Sequence, residues 1–212
     1  MLKKAIMLFL LIGFLSVPAF ASENIHYELT LGAGALRFTK DPVLKSFYKK
    51  SYVPVYNLGA GILFYHVIGL DGSLSFLTGK DTIYAQTGVG QQYTLMIYPA
   101  RLNVVAQLRV KDDQVIYPYV GAGAVATGFY QIASSGGAIV SGYRYGYDFI
   151  AGIHLLLDPI DMRHVGYLRT EYGIDHVYID LRYGQDIVND FGKTSGFNFS
   201  TQYIIGSLGF EF

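Results

Sequence analysis

The sequence predicts an all-β fold: eight antiparallel strands closed into an up-and-down transmembrane barrel, with a short helix near residues 159–172. Three observations predict it. Hydrophobic residues make up 51% and charged residues only 15% of the 212 residues, yet after residue 21 no apolar run is long enough for a spanning helix. Apolar and polar residues instead alternate with a period of two through segment after segment. The connections between those segments alternate between short and long, as they do in a barrel with turns at one end and loops at the other.

The first residues, MLKKAIMLFLLIGFLSVPAFA, read as a cleaved secretory signal peptide. Lys3 and Lys4 precede an uncharged run from Ala5 to Leu15, and Ala19-Phe20-Ala21 is a small-x-small cleavage pattern. The rival, a retained membrane helix, is disfavoured because the run is short and the cleavage pattern follows at once. The domain expected to remain is residues 22–212. It keeps 14 of the 16 basic residues against all 16 acids, a weak balance that argues against nucleic acid. The chain has no cysteine, which excludes disulfides and thiolate metal sites.

"HYELTLGAGALRF" sets Tyr27, Leu29, Leu31, Ala33 and Ala35 against His26, Glu28, Thr30, Gly32 and Gly34. "YNLGAGILFYH" sets Tyr56, Leu58, Ala60, Ile62 and Phe64 against Asn57, Gly59, Gly61 and Tyr65. "GSLSFLTG" is shorter, with Leu74 and Phe76 opposite Ser73 and Ser75. "YTLMIYPARLNVVAQLRV" places Leu102, Val104, Ala106 and Leu108 on the apolar face after Pro99. Before Pro99 the apolar residues Tyr93, Leu95 and Ile97 have the other parity, so a bulge at the proline is expected to reset the phase. "YPYVGAGAVATGFY" sets Val120, Ala122, Ala124 and Ala126 against Tyr117, Tyr119, Gly121 and Gly123. "RYGYDFIAGIHL" and "HVYIDLRYG" continue the pattern, with Arg144, Asp148, His154, Asp180 and Arg182 on the polar face. "NFSTQYIIGSLGFEF" ends it, with Ile204, Leu208, Phe210 and Phe212 opposite Thr201, Tyr203, Ser207 and Glu211.

"VIGLDG" and "KDDQ" are expected to be short turns; the stretches near 39–52, 80–92, 131–142 and 189–196 are expected to be loops. One turn is longer. In "DPIDMRHVGYLRTEYGID", Asp158 is expected to cap a helix, Pro159 and Asp161 to suit its first turn, and Gly173 to stop it. Ile160, Val165, Leu168 and Tyr172 fall roughly on one stripe, although Val165, Tyr167 and Arg169 also alternate as a strand would.

A lipocalin-like soluble barrel would also alternate, with the glycine-and-charge face as its surface. That face is poor in Lys and its charges are balanced, which suits a narrow lumen better. The lumen set is Glu28, Arg101, Arg109, Arg144, Asp148, Asp180, Arg182 and Glu211, expected to pair across the barrel. Gly32, Gly34, Gly59, Gly61, Gly121 and Gly123 are expected to make room there for Tyr and Arg. On the apolar face Tyr56, Tyr130, Tyr143, Tyr145 and Tyr183 fall at loop ends, and Tyr27, Phe64, Phe210 and Phe212 at turn ends, as interfacial girdles would. The middle of the band is expected to be free of aromatic residues.

The signal peptide, "YPYVGAGAVATGF", "YDFIAGIHLLL" and the ending "IIGSLGFEF" together resemble the small eight-stranded bacterial outer-membrane β-barrel proteins, the OmpA/OmpX/OmpW-like family. The resemblance covers nearly all of residues 22–212. It implies export through the general secretion pathway and residence in the outer membrane. It also implies a final strand, through Ile204, Leu208, Phe210 and Phe212, read by the barrel-insertion machinery. The role it implies is non-catalytic, that of a monomer serving envelope structure, surface interaction or passage of small apolar solutes. The second class is a lipid A or phospholipid acyl-modifying enzyme.

Direct signals for chemistry are weak. "GAGAL" and "GAGAVATG" lie in strands and do not complete a phosphate-binding loop. His154, His164, His176 and Asp148 suggest a hydrolase or a metal site, but no matching motif and no His-x-Ser pair is present, so no catalytic, cofactor or metal residue is assigned. Arg37, Lys40, Lys45, Lys49 and Lys50 surround the first loop and suit the phosphates of lipopolysaccharide, or are an ordinary solvated loop.

Overall fold

In the computed structural model, strands β1 (Ile25–Phe38), β2 (Val53–Phe64), β3 (Ile68–Tyr84), β4 (Gly90–Gln107), β5 (Ile116–Ala133), β6 (Val140–Leu156), β7 (His176–Val188) and β8 (Thr201–Glu211) form one closed antiparallel barrel in sequence order. The structure describes residues 25–41, 44, 48, 52–84, 90–109, 114–133, 140–159, 162–192 and 198–212. Residues 1–24, with the expected signal peptide, lie outside them. Closure is by β1 on β8, from Glu28↔Glu211 to Phe38↔Thr201, and backbone hydrogen bonds between Tyr27 and Phe212 in both directions finish the seam. No helix of the described residues is long and apolar enough to cross a membrane; the strands cross it.

Period-two alternation becomes an outside and an inside. Leu31, Leu74, Leu102, Val104, Val120, Ile204 and Leu208 point out and are 42–60% exposed, while Ser75, Asn103, Tyr117, Asp148, Tyr178 and Glu211 point in and are fully buried. The outward aromatic residues are not confined to two girdles, because Tyr147 and Phe149 also face out, each about half exposed.

Four expectations need correction. First, no bulge resets β4. Leu74↔Ala100 and Leu77↔Ile97 keep one register on both sides of Pro99, and Leu95 and Ile97 face the lumen with Arg101 and Asn103. The proline interrupts the β3–β4 ladder locally because it has no N–H, but the phase runs on. The apolar run before it is inward because the loop-end half of the lumen is itself an apolar core. Leu36, Phe38, Val53, Val55, Leu77, Leu95, Ile97, Val125, Phe199 and Ile205 fill it, and Leu44 and Tyr48 of the first loop fold in on top. Second, "VIGLDG" is not a turn. β3 begins at Ile68, so Asp71 is a lumen residue, and the turn is only Tyr65–Val67, with Tyr65 exposed and not in the lumen.

Third, the helix exists as α1 (Met162–Tyr172), but Asp158 does not cap it. Its carboxylate accepts from Val177 N at 3.0 Å and pairs with His176, tying the turn to β7. Gly173 does stop the helix, at φ +67, with its N–H on Arg169 O. Asp161, Ile160 and the side chain of Val165 lie outside the described residues; of the rest of the expected stripe, Leu168 is half-buried and Tyr172 is exposed. Fourth, the glycines that seat tyrosines are not the six expected. Gly32, Gly59, Gly61 and Gly123 meet Ser207, Thr30, Glu28 and Asn103, Gly34 lies on the backbone of β8, and Gly121 packs on Ile150 and Val105. Among the described residues Gly79 seats Tyr48 of the first loop, and three more tyrosines sit on their direct cross-strand partners Gly152, Gly184 and Gly209. The rings of Tyr119, Tyr203 and Tyr178 lie flat over them, leaving only 2.1–2.5 Å to an added Cβ.

Candidate functional site

Below the apolar core the lumen holds three buried arginines, each in its own set of partners. Arg101 grips Asp186 with both arms of its guanidinium, Nε to Oδ1 at 2.9 Å and Nη2 to Oδ2 at 2.7 Å, and donates from Nη1 to Ser75 Oγ at 2.7 Å. Asp148 stands directly opposite Asp186 across β6 and β7. It accepts from Asn103 at 2.8 Å and from Tyr203 OH at 3.0 Å, and Arg101 lies over the Tyr203 ring. Thr201 adds a bond to Asp186 at 2.7 Å.

Arg182 holds Asp71 bidentately at 2.9 Å and donates from Nε to Tyr119 OH, which in turn donates to Asp180 Oδ1 at 2.6 Å. His154 contributes its Nε2 to Asp180 at 3.5 Å and is boxed by the rings of Tyr117, Tyr119 and Tyr178. Next to this set is a cavity of about 10 Å³, lined by Glu28, Gln107, Tyr178 and Arg182 among others. It is large enough for roughly one water and no passage.

Arg109 closes the turn end. Nη1 donates to Glu211 Oε2 at 3.0 Å and to His66 Nδ1 at 3.0 Å; Nη2 donates to His176 Nε2 at 3.0 Å; and His176 Nδ1 is held by Asp158. His26 and His66 lie with ring centroids 3.5 Å apart.

Of the expected lumen residues, Arg101, Arg109, Asp148, Asp180, Arg182 and Glu211 therefore meet partners inside. Arg144 sits at the loop-end rim and pairs with Asp190 in the turn after β7. Glu28 faces the lumen opposite Glu211, and its Oε1 has no hydrogen-bond partner. The reading of the sequence missed Asp71, by assigning it to a turn, and Asp186, which continues the parity of Tyr178, Asp180 and Arg182 beyond Gly184. It also missed His26 and His66.

Among the described residues the alternative histidine chemistry does not assemble. His154, His176 and Asp148 belong to three different partner sets, and the side chain of His164 lies outside the described residues. Among the described residues no serine hydroxyl meets either histidine, and His154 Nδ1 has no partner, so no triad forms. "GAGAL" and "GAGAVATG" are strand, as expected. On the outer wall, Arg37 faces out, bonds Gln202 and lies over Tyr52. Lys40 is exposed at the end of β1, and Lys45, Lys49 and Lys50 lie outside the described residues. Ile204 and Leu208 are exposed on β8, and Phe210 and Phe212 are partly so.

The sequence matches the family described as outer membrane protein beta-barrel domain over residues 7–212. Among solved structures, Ail, the attachment invasion locus protein of Yersinia pestis, crystallised with the heparin analogue sucrose octasulfate, is 15% identical. The match covers 89% of this chain and 99% of that one, with a TM-score of 0.53. The outer membrane protein OprG from Pseudomonas aeruginosa is 10% identical over 89% of this chain and 96% of that one, with a TM-score of 0.56. No curated protein matches the sequence.

Proposed function

Because this chain belongs to the outer membrane protein β-barrel family, we propose that it is a non-catalytic barrel of the bacterial outer membrane that works through its wall and loops, not through a pore. The observation that carries this reading is a lumen filled at two levels. Aliphatic and aromatic side chains pack the loop-end half, and the Arg101, Arg182 and Arg109 sets cross-link the other. Envelope structure and surface interaction are roles that such a plugged cylinder can fill; bulk diffusion is not.

The conduction experiment tests it. Purified protein in planar bilayers is expected to give no stable ohmic channel, and proteoliposomes no sugar-driven swelling. Large steady conductance refutes the reading.

In this reading the protein reaches the membrane by general secretion and acts as a monomer. Arg37, Lys40, Lys45, Lys49 and Lys50 contact lipopolysaccharide phosphate; the outward position of Arg37 at the loop end of β1 supports this. Ile204, Leu208, Phe210 and Phe212 serve recognition by the insertion machinery, supported by their shared outward face on the strand that closes the barrel. Deleting Phe212 is expected to reduce the folded, heat-modifiable form in unboiled membranes; unchanged yield and localisation would refute that role.

Lateral passage of small apolar solutes has one supporting feature, a depression on the outer wall bounded by Tyr56, Phe76 and Tyr98. Behind it the buried Ser75–Asn57 hydrogen bond at 2.8 Å closes the way inward.

A further inference from the structure

We propose that His26, His66 and Glu211 form a divalent-metal site of the zinc class at the turn-end mouth of the lumen. The donor atoms of these three residues all lie within 4.8 Å of one another. His26 Nδ1 and His66 Nδ1 stand 3.3 and 3.2 Å from the same oxygen, Glu211 Oε1. A tetrahedral zinc with ordinary bonds to imidazole and carboxylate spaces neighbouring ligand atoms by roughly 3.3 Å. Each nitrogen already has that spacing from the shared oxygen, and a ligand set of two histidines and one glutamate leaves a fourth position for water.

Three independent features point the same way. Electrostatically the lumen is short of positive charge. Glu28 and Glu211 are direct cross-strand partners on the lumen face, where like charges oppose each other. Among the described residues Asp71, Asp148, Asp180, Asp186 and Glu211 are buried in the lumen against only Arg101, Arg109 and Arg182. A bound dication offsets that excess.

In its hydrogen bonding, Arg109 Nη1 donates to both His66 Nδ1 at 3.0 Å and Glu211 Oε1 at 3.2 Å. A guanidinium only donates, so His66 Nδ1 carries a lone pair and no proton, the form a metal needs. A metal takes over these two atoms, and Arg109 keeps Glu211 Oε2 and His176, orienting the glutamate from behind.

The backbone is the third feature. Tyr65 and His66 both have φ +53, in a tight turn closed by Val67 N–H on Phe64 O at 3.1 Å. Two bulky non-glycine residues in the left-handed region are an uncommon local cost, and such costs collect at functional sites. This turn places the His66 ring over that of His26. Both rings remain partly exposed, 20% and 15%, which gives a metal its entry from the aqueous side, while Glu211 is fully buried.

The test uses the full-length protein, refolded in detergent with any histidine tag removed. It is titrated with Zn²⁺ by calorimetry and with Co²⁺ by visible absorption. We expect one equivalent of Zn²⁺ bound at micromolar or lower concentration, and a Co²⁺ d–d band of four- or five-coordinate intensity. His26→Gln and His66→Gln each weaken binding at least tenfold and abolish the band, and both remain heat-modifiable on gels. His164→Ala changes the affinity less than threefold. Wild-type affinity in the His26→Gln/His66→Gln double variant, binding that follows His164, or no binding by the folded wild type overturns the proposal. If a Gln variant does not fold, His26→Asn replaces it, read by the same Co²⁺ band.

Discussion

Arg101→Ala is expected to lower the unfolding free energy of the folded barrel by about 3–5 kcal/mol, the cost of leaving a buried charge uncompensated. Arg101 is 4% exposed, so water cannot replace it. Its removal leaves Asp186 without its bidentate partner and directly opposite Asp148, two buried carboxylates facing each other across one ladder. It also leaves Ser75 without its donor and Tyr203 without the cation over its ring. Urea titration in lipid vesicles, read by the heat-modifiable mobility shift, measures it. The discriminating control is Arg101→Met with Asp186→Leu, which removes both charges and is expected to recover more than half of the loss. A single variant as stable as the wild type would sink the view that this pair braces the lumen. So would a double variant worse than the single.

Leu31→Arg is the second large effect, an expected loss of about 2–4 kcal/mol if the residue sits near the bilayer midplane. Leu31 is 55% exposed on the wall, between Leu58 of β2 and Leu208 of β8, and all three point to lipid. An arginine there has no partner within the wall and must reach for an interface. The same unfolding titration reads the loss. A companion measurement places single cysteines with spin labels at Leu31, Ala60, Ala122 and Ile179, and at Asn57, Asn103, Gly121 and Asp180. The first four are expected to be accessible to oxygen dissolved in the lipid and the second four shielded from it. Accessibility of the second set would mean that inside and outside have been exchanged.

The strand parities behind both predictions were readable without coordinates. Leu31 and Thr30 differ by one position, and the period of two sends them to opposite faces wherever the strand sits. Within the strands the parity failed where the rule "apolar means outside" failed. Leu95 and Ile97 are apolar and inward because a barrel can have a dry core at one end, and composition does not say which end. Asp71 was hidden for a different reason. Gly69, Asp71 and Gly72 look like a turn, yet Tyr65 and His66 make the turn in the left-handed region, which non-glycine residues rarely signal. Asp186 needed only a longer strand.

What the sequence determined by itself is what local chemistry dictates: eight strands, their order, the outward aliphatic face, the short helix ended by Gly173, and a lumen carrying charge. Alternation and chain order suffice for these because each strand pairs with its neighbours in sequence. What only the tertiary structure decided is who meets whom inside. Arg182 finds Asp71 across 111 residues, Arg109 finds Glu211 across 102, and Arg101 finds Asp186 across 85. Those meetings depend on the stagger between strands and on the closure of β1 on β8, which sum over the whole circuit of the barrel. The gathering of His26, His66 and Glu211 depends on the same closure. Glu211 reaches the two histidines only because the last strand returns beside the first.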